Sequence, residues 1–368
     1  IPQDGRITVK TDNKLIDIRV STMPTISGEK IVCRLLDRNA SIKSIGEIGI
    51  EAESLERLEK MIYTPDGLII ATGPTGCGKT TSLYSIMQRR LSPTLNFITI
   101  EDPVEYQLEQ AAQVHIHQKA GLTFASSLRA ALRQDPDVIL VGEIRDSETA
   151  MAAFQAAMTG HLVFTTLHTN NTIATISRLF HLGIKPYLVA SAVHGIFAQR
   201  LVRKICPNCK ELRNCDTNNL ELLGIDEKDF PDMLYYGKGC NKCSQTGYFG
   251  RIGLFEVFQM NEEFRHFLTS DYKETELLNM AKNLGMETLL EDGLRKVRAG
   301  KTTLDEILRV MGPGVKFDCV CDSCKRNIDI NYSICPYCCA RLKKFCKCCK
   351  SHLELDWIIC PFCGEKYN

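Results

Sequence analysis

The sequence predicts an α/β fold in which a mostly parallel β-sheet is covered by helices on both faces. Short, continuous apolar runs indicate strands that are buried on both sides, and helix-like segments alternate with them along the chain. The composition, 44% apolar and 24% charged over 368 residues, is that of a globular protein. A membrane span is not expected, because the most apolar stretch, residues 186–198, is interrupted by His194 and Gly195.

The chain divides into five predicted parts. The first alternates polar and apolar side chains in short runs between turn residues, which predicts a small meander of strands. Because the chain starts at Ile1 without Met or an apolar leader, we expect a fragment rather than a precursor with a signal peptide. The parts are residues 1–46, the end of a small N-terminal α+β domain; 47–204, the α/β unit; 205–245, a cysteine-bracketed insert; 246–312, a helical region; and 313–368, a repeated tail.

Within the α/β unit, the two kinds of segment follow one another in a regular order. Strands are predicted where apolar residues are continuous, and helices where apolar residues recur at the helical period of about 3.6 residues. The strands are residues 67–71, 96–100, 138–141 and 162–166, and the helices are residues 52–62, 79–89, 124–133 and 147–158. Three amphipathic helices are predicted in the helical region, at residues 273–284, 289–298 and 303–311.

A glycine-rich loop follows the first strand of this unit and predicts a phosphate site. It matches G-x-x-x-x-G-K-[ST], a pattern whose glycines turn backbone N–H groups toward phosphate oxygens at a helix N-terminus. Lys79 would neutralise the β- and γ-phosphates of ATP, and Thr80 would ligate Mg²⁺. We interpret Cys77 as small filler at a variable position rather than as a nucleophile. The predicted binding residues are Gly73, Pro74, Thr75, Gly76, Cys77, Gly78, Lys79, Thr80 and Thr81.

Three further strand ends carry side chains suited to this chemistry. Residues 137–143 form an apolar strand that ends in Glu143, which we place near Mg²⁺ and the attacking water in preference to a merely solvated strand end. Another strand ends in the acidic segment that begins at Glu101, where ligands bind in such folds. His168 is favoured as a functional imidazole because it follows its strand, whereas His161 precedes it and suits a structural role.

Eighteen cysteines, mostly in C-x₂-C pairs, indicate metal sites in a reducing compartment. The first four paired cysteines leave no position for water in a tetrahedral site, so a bound zinc would be structural; a disulfide is the minor alternative. The tail contains two C-x₂-C…C-x₂-C units 25 residues apart, which predict two zinc ribbons. The predicted ligands are Cys206, Cys209, Cys240 and Cys243 in the insert, and Cys321, Cys324, Cys335, Cys338, Cys346, Cys349, Cys360 and Cys363 in the tail, where Cys319, Cys339 and Cys348 could compete.

Five segments together resemble the GspE/PilB family of type II secretion and type IV pilus assembly ATPases. They are residues 19–25 with 28–34, the phosphate loop, residues 100–105, residues 140–146, and the segment from Thr159 to Thr169. The resemblance covers about residues 1–310 and extends to the four cysteines of the insert, which the related retraction ATPases lack. The double zinc ribbon is an addition to the usual family pattern.

The resemblance implies a PAS-like N-terminal domain, a RecA-like P-loop core and a cytoplasmic hexameric ring that is peripheral to the inner membrane. It implies that Arg19 and Arg34 reach the γ-phosphate, and that Glu101 and Glu143 handle water and Mg²⁺. Cys33 departs from an aliphatic position of the family and affects packing only. The implied cofactors are ATP, Mg²⁺ and Zn²⁺, and the implied partner is the platform protein of the inner membrane.

Two alternatives remain open at the level of the sequence. A DNA-uptake, competence or conjugation ATPase would have a similar core. A zinc-ribbon protein that binds nucleic acid is disfavoured because the ATP motifs are intact, and no direct contact with nucleic acid is expected. The formal net charge of the whole chain is +1, and two bound Zn²⁺ with eight thiolates would change the tail from +3 to −1. The tail is therefore interpreted as a docking or oligomer-contact module.

Overall fold

The structure is a computed structural model that describes residues 1–11, 14–37, 42–270 and 274–312, together with scattered positions between 319 and 366. It forms two compact units. The first comprises residues 1–203 and 250–293, and the second comprises residues 204–249 and 294–368. The five parts predicted from the sequence remain a prediction.

The chain opens with a three-stranded antiparallel sheet in the order β1-β2-β3. Its register pairs Arg6 with Arg19 and Arg19 with Arg34, so these three arginines stand in one row across the sheet. The neighbouring row pairs Ile7 and Leu35 with Ile18, and the two outer side chains of that row are 54% and 66% exposed. The strands are β1 (Gln3–Thr11), β2 (Lys14–Thr25) and β3 (Gly28–Asp37).

The strands and helices predicted for the α/β unit and the helical region are all present, together with further elements. The helices are α1 (Ala52–Ile62), α2 (Lys79–Arg90), α3 (Phe124–Ala131), α4 (Ser147–Met158), α5 (Thr172–His181), α6 (Pro186–Ala192), α7 (Thr217–Leu223), α8 (Glu262–Leu268), α9 (Glu274–Asn283), α10 (Leu289–Arg298) and α11 (Leu304–Met311). The strands are β4 (Gly67–Thr72), β5 (Phe97–Glu101), β6 (Ala111–His115), β7 (Val138–Val141), β8 (Leu162–Leu167), β9 (Val193–Ile205), β10 (Lys210–Asn214), β11 (Met233–Gly237) and β12 (Tyr248–Gln259).

A seven-stranded sheet in the order β12-β9-β4-β8-β7-β5-β6 forms the centre of the first unit. The pairs β4–β8, β4–β9, β7–β8, β5–β7 and β5–β6 are parallel. Alternate residues of β4 enter two different cores: Leu68 and Ile70 pack on one face, and Ile69 and Ala71 pack on the other. Both faces of the sheet are therefore covered, and the predicted α/β fold class is confirmed.

The structure contains several elements that the sequence patterns did not reveal. The apolar stretch 186–198 is divided between α6 and β9, because a continuous apolar run has no period that separates a helix from a strand. The strands β6, β9 and β12 and the helix α5 were also missed. The helix predicted to end at Arg133 ends at Ala131, shortly before Asp135 adopts a positive φ of 51°. Among helices of the described ranges, none combines the length and apolarity needed to cross a membrane.

The second unit is built around the antiparallel pair β10–β11 and close glycine contacts. A Cβ atom on Gly237 would lie 1.9 Å from the carbonyl oxygen of Gly247, so neither backbone leaves room for a side chain there.

In the tail, two short hairpins pair Cys319–Val320 with Asn327–Ile328 and Lys344–Phe345 with His352–Leu353. The second hairpin reproduces the pairing of the first after the 25-residue shift seen in the sequence.

A tight contact in the first unit yields a stability prediction. A Cβ atom on Gly195 of β9 would lie 2.1 Å from Cε of Met61 and 2.9 Å from the carbonyl oxygen of Phe258. We expect Gly195→Ala to lower the free energy of unfolding by about 1–3 kcal/mol, because overpacking displaces backbone as well as side chains. The matched control is Gly46→Ala, since a Cβ atom on Gly46 meets nothing within 4 Å. Urea unfolding curves measure both, and equal midpoints would contradict the prediction.

Candidate functional site

The predicted phosphate loop connects β4 to α2 and adopts a conformation that requires glycine. The φ angles of Gly73, Gly76 and Gly78 are 146°, 78° and 91°, values that favour glycine. Gly78 is the N-cap residue of α2. A Cβ atom on Gly73 would lie 2.5 Å from the carbonyl oxygen of Gln199. The loop therefore packs closely against β9 while its N–H groups and the start of α2 supply positive potential for an anion.

Lys79 is held inside this loop. Its side chain is buried, and Nζ donates to the carbonyl oxygens of Gly73 (2.7 Å) and Pro74 (3.2 Å) and lies 3.5 Å from Nδ1 of His168. Burial lowers the pKa of the Lys79 ammonium below its usual range, and Glu143 acts in the opposite direction. A negatively charged phosphate bound to the loop would stabilise the charged form further.

Glu143 and His168 lie together at the ends of β7 and β8. Nε2 of His168 is 3.3 Å from Oε2 of Glu143, and Arg145 forms an ion pair with Oε1 of the same carboxylate. The hydrogen bond that Arg145 donates to Glu143 raises the pKa of Arg145. Because His168 contacts both Lys79 and Glu143, its imidazole bridges the cation of the loop and the acid of the neighbouring strand.

Glu101 ends β5 and is almost fully enclosed. Its carboxylate accepts hydrogen bonds from the hydroxyls of Tyr84, at 2.8 and 2.7 Å, and Thr99, at 2.6 Å. Burial raises the pKa of Glu101, and the hydrogen bonds from Thr99 and Tyr84 oppose that shift. Glu101 thus differs from Asp102, which follows it and is exposed.

These groups line one cavity of about 470 Å³ at the carboxyl edge of the sheet, a size within the range of small-molecule sites. Several lining residues were not predicted from the sequence; among them, Leu201 on β9 and Arg251 on β12 come from distant strands and no motif marks them. The lining is Thr75, Gly76, Gly78, Lys79, Thr80, Thr81, Leu83, Glu101, Asp102, Pro103, Glu105, Phe124, Leu140, Gly142, Glu143, Thr166, His168, Leu201 and Arg251.

The two predicted arginines of the N-terminal sheet are not among the described residues that line this cavity. Arg19 and Arg34 are paired neighbours on β2 and β3. Partial burial lowers the pKa of Arg19, while the charge of Glu105 raises it. Gly73, Pro74 and Cys77 belong to the same loop but are also absent from the described lining; Cys77 is buried, which raises the pKa of its thiol.

The sulfur atoms of the four cysteines of the insert come together in one cluster. The Sγ atoms of Cys206 and Cys240 are 3.8 Å apart, those of Cys209 and Cys243 are 3.8 Å apart, and those of Cys240 and Cys243 are 3.7 Å apart. A tetrahedron with Zn–S bonds of about 2.3 Å has S–S edges of about 3.8 Å, so this donor set fits zinc. The four cysteines are free thiols in the structure, not disulfides.

The tail shows part of a second cluster. Sγ atoms of Cys346, Cys349 and Cys363 all lie within 4.8 Å of one another, and Cys346 and Cys363 are 3.4 Å apart. The fourth predicted ligand, Cys360, lies outside the described residues. In the other tail unit, Cys335 is buried and Cys338 is partly buried, whereas the predicted ligands Cys321 and Cys324 also lie outside the described residues.

Comparison with known families identifies the first 309 residues. Residues 1–309 match the family model "Type II/IV secretion system protein". The chain belongs to this family. The resemblance to the GspE/PilB family is thereby confirmed, whereas the double zinc ribbon of the tail remains a prediction.

Individual relatives agree with this assignment. The chain is 44% identical over 310 residues to the type II secretion system protein E of Pseudomonas aeruginosa, covering 84% of this chain and 61% of the relative. It is 45% identical over 309 residues to the type IV pilus assembly ATPase PilB of Thermus thermophilus, covering 84% and 35%. The chain thus spans 61% of the length of the first relative and 35% of the length of the second.

Among solved structures, the pilus retraction motor PilT with bound ADP is similar. The two share 28% sequence identity and superpose with a TM-score of 0.60, covering 84% of this chain and 77% of PilT. This likeness extends the family assignment from sequence to three-dimensional structure.

The cysteine clusters generate a prediction about metal content. Three Cys₄ sets predict three Zn²⁺ per chain, and Cys209→Ser should remove one of them because the site loses a thiolate. Cys215→Ser is the matched control, since Cys215 belongs to neither cluster that the described residues form. Elemental analysis of the purified chains measures this. One zinc in the parent chain, with disulfides in the tail, would contradict the double-ribbon prediction.

Proposed function

We propose that this chain is the motor portion of an ATPase that hydrolyses ATP in the cavity between the phosphate loop and the acids of β5 and β7. The observation that carries the proposal is the convergence of Lys79, Glu143 and His168 on one cavity in a family whose relatives are named as ATPases. A phosphate chain would accept hydrogen bonds from the loop, and Lys79 would exchange its loop carbonyls for phosphate oxygens.

The same residues suit the hydrolytic step. Thr80 and Glu143 would hold Mg²⁺, which supplies charge neutralisation on the β- and γ-phosphates when bound. Glu101 and Glu143 would orient a water whose oxygen would form a bond to the γ-phosphorus while the bond from that phosphorus to the ADP oxygen would break; one of the two carboxylates would accept the proton of the water, and ADP would leave as the anion. His168 would lie between Lys79 and Glu143 and hold both side chains beside the γ-phosphate. Cysteines 206, 209, 240 and 243 would hold a structural Zn²⁺, because all four positions are thiols.

We further propose that the ATPase works as a hexameric ring. In that arrangement Arg19 and Arg34 would act on the γ-phosphate from the small N-terminal sheet. Two adjacent guanidinium groups on one sheet face repel each other, and a phosphate anion would relieve that repulsion. The row also includes Arg6, whose partner Asp17 is buried.

The process that ATP hydrolysis would drive is assembly of pilin-like subunits through a platform protein of the inner membrane. Support comes from the relatives named for type II secretion and pilus assembly, and from the four-cysteine insert. The location proposed is cytoplasmic and peripheral to the inner membrane. The tail would serve as a docking or oligomer-contact module.

Replacement of Lys79 tests the nucleotide site. Lys79→Ala should abolish measurable ATP hydrolysis, because the developing charge on the phosphates loses its cation. Lys119→Ala is the control, since Lys119 is an exposed lysine outside the cavity lining. Phosphate release is measured for both variants, with zinc content as a check of the fold. Undiminished hydrolysis by Lys79→Ala would refute the proposed site.

Glu143→Gln separates binding from turnover. The amide keeps the shape of the side chain but cannot act as a base or a strong metal ligand, so hydrolysis should fall by about a hundredfold or more. Binding of ATP should persist, because Lys79 and the loop are unchanged. Equilibrium binding of a fluorescent ATP analogue and steady-state turnover are compared. If binding disappears along with turnover, Glu143 has a structural role instead.

A further inference from the structure

Glu101 lines the cavity, whereas Tyr84, which donates a hydrogen bond to its carboxylate, does not. Glu101 is 3% exposed and lines the cavity. Tyr84, on α2, is fully buried and is not among the described residues of the lining. A side chain that contacts the acid from the core can orient it without touching a ligand in the cavity.

The donors to this carboxylate are distributed unevenly between its oxygens. Oε1 accepts from Tyr84 (2.8 Å) and Thr99 (2.6 Å), and Nε2 of Gln113 lies 3.5 Å from it. Oε2 accepts only from Tyr84, at 2.7 Å, among the described residues. Tyr84 has a single hydroxyl proton, which the two oxygens share. Because Oε1 also accepts from Thr99, it is the more fully occupied oxygen, and the larger remaining capacity for a water lies at Oε2.

Gln113 determines where the hydroxyl proton of Tyr84 points. Its Nε2 donates to Oη of Tyr84 (3.1 Å) and to the carbonyl oxygen of Tyr106 (3.0 Å), while its Oε1 accepts from N–H of Leu108 (2.8 Å). The amide orientation is thus set by backbone groups on both sides. Since Oη accepts from Gln113, its single proton is available for Glu101.

We propose that Tyr84 is a positioning residue that fixes the Glu101 carboxylate relative to the phosphate loop, so that Oε2 is presented to the attacking water. Tyr84 lies on α2, the helix that begins with Lys79, and its hydroxyl therefore links that helix directly to the acid at the end of β5. The proposal rests on the proposed ATPase function. It adds Tyr84 and Gln113, which no motif marks, to the groups that set the geometry of hydrolysis.

The electrostatics of the pair agree with this role. Burial raises the pKa of Glu101, and hydrogen bonds from Thr99, Tyr84 and Gln113 counteract the shift. Burial and the adjacent carboxylate raise the pKa of Tyr84, which keeps the phenol protonated and able to donate. Loss of the hydroxyl would remove from a buried carboxylate the one charge-assisted hydrogen bond that its two oxygens share.

Tyr84→Phe in the full chain tests the proposal because it removes the hydroxyl and retains the ring. We expect kcat for ATP hydrolysis to fall by about tenfold or more, while the Kd for ATP changes by less than about twofold. The matched control is Tyr106→Phe: the two rings lie 5.3 Å apart, and Tyr106 joins the network through its carbonyl oxygen. This control should keep the parent kcat.

A second variant protects the test against a folding defect in the first. Gln113→Met keeps a side chain of similar length but no longer orients the Tyr84 hydroxyl, so kcat should fall with little change in Kd. The double variant should lose much less than the product of the two single losses, because Gln113 acts on Glu101 chiefly through that hydroxyl and only by a long 3.5 Å contact of its own.

Three results would overturn the proposal: parent kcat in Tyr84→Phe, equal losses in kcat and ATP affinity, or fully additive losses in the double variant. A parent chain with no more hydrolysis than Lys79→Ala is a different outcome. That result would refute the proposed ATPase function itself, and with it the basis of this inference.

Discussion

The parallel pairing of β4 with β8 is the constraint on which the rest of the candidate site depends. Its register places Thr72 beside Leu167, so the phosphate loop and His168 leave the sheet at the same edge. The pairing continues beyond the strands, because N–H of Thr169 donates to Oγ1 of Thr72 at 3.0 Å. Lys79 and His168 therefore meet although 89 residues separate them.

Local patterns were sufficient to predict the parts of the site whose chemistry is local. The glycines of the loop need positive φ angles, and the acids and His168 follow buried strands, so sequence alone located them. It could not locate Leu201, Arg251, Tyr84 or Gln113. Their roles arise from strand order and from side chains that meet across the core, and neither is encoded in a contiguous motif.

The metal sites show the same division between spacing and assembly. C-x₂-C pairs indicated the insert cluster, but the 30 intervening residues carried no information about how the pairs would meet. The antiparallel pairing of Lys210 with Gly237 and the close approach of Gly237 to Gly247 bring the two ends of the insert together. Zinc would then stabilise a geometry that the backbone already favours, with N–H groups of Gly239 and Gly247 each 3.3 Å from a cysteine sulfur.

The repeated hairpins of the tail have a consequence for how this segment can change during evolution. Cys319–Val320 and Lys344–Phe345 occupy equivalent strands, as do Asn327–Ile328 and His352–Leu353. A recombination event between equivalent positions of the two copies would remove or add one 25-residue unit without shifting any strand pairing inside the units that remain. The tail can therefore vary in length by whole 25-residue repeats, in the manner of tandem-repeat proteins. The compact unit formed by residues 1–203 and 250–293 would keep its sequence.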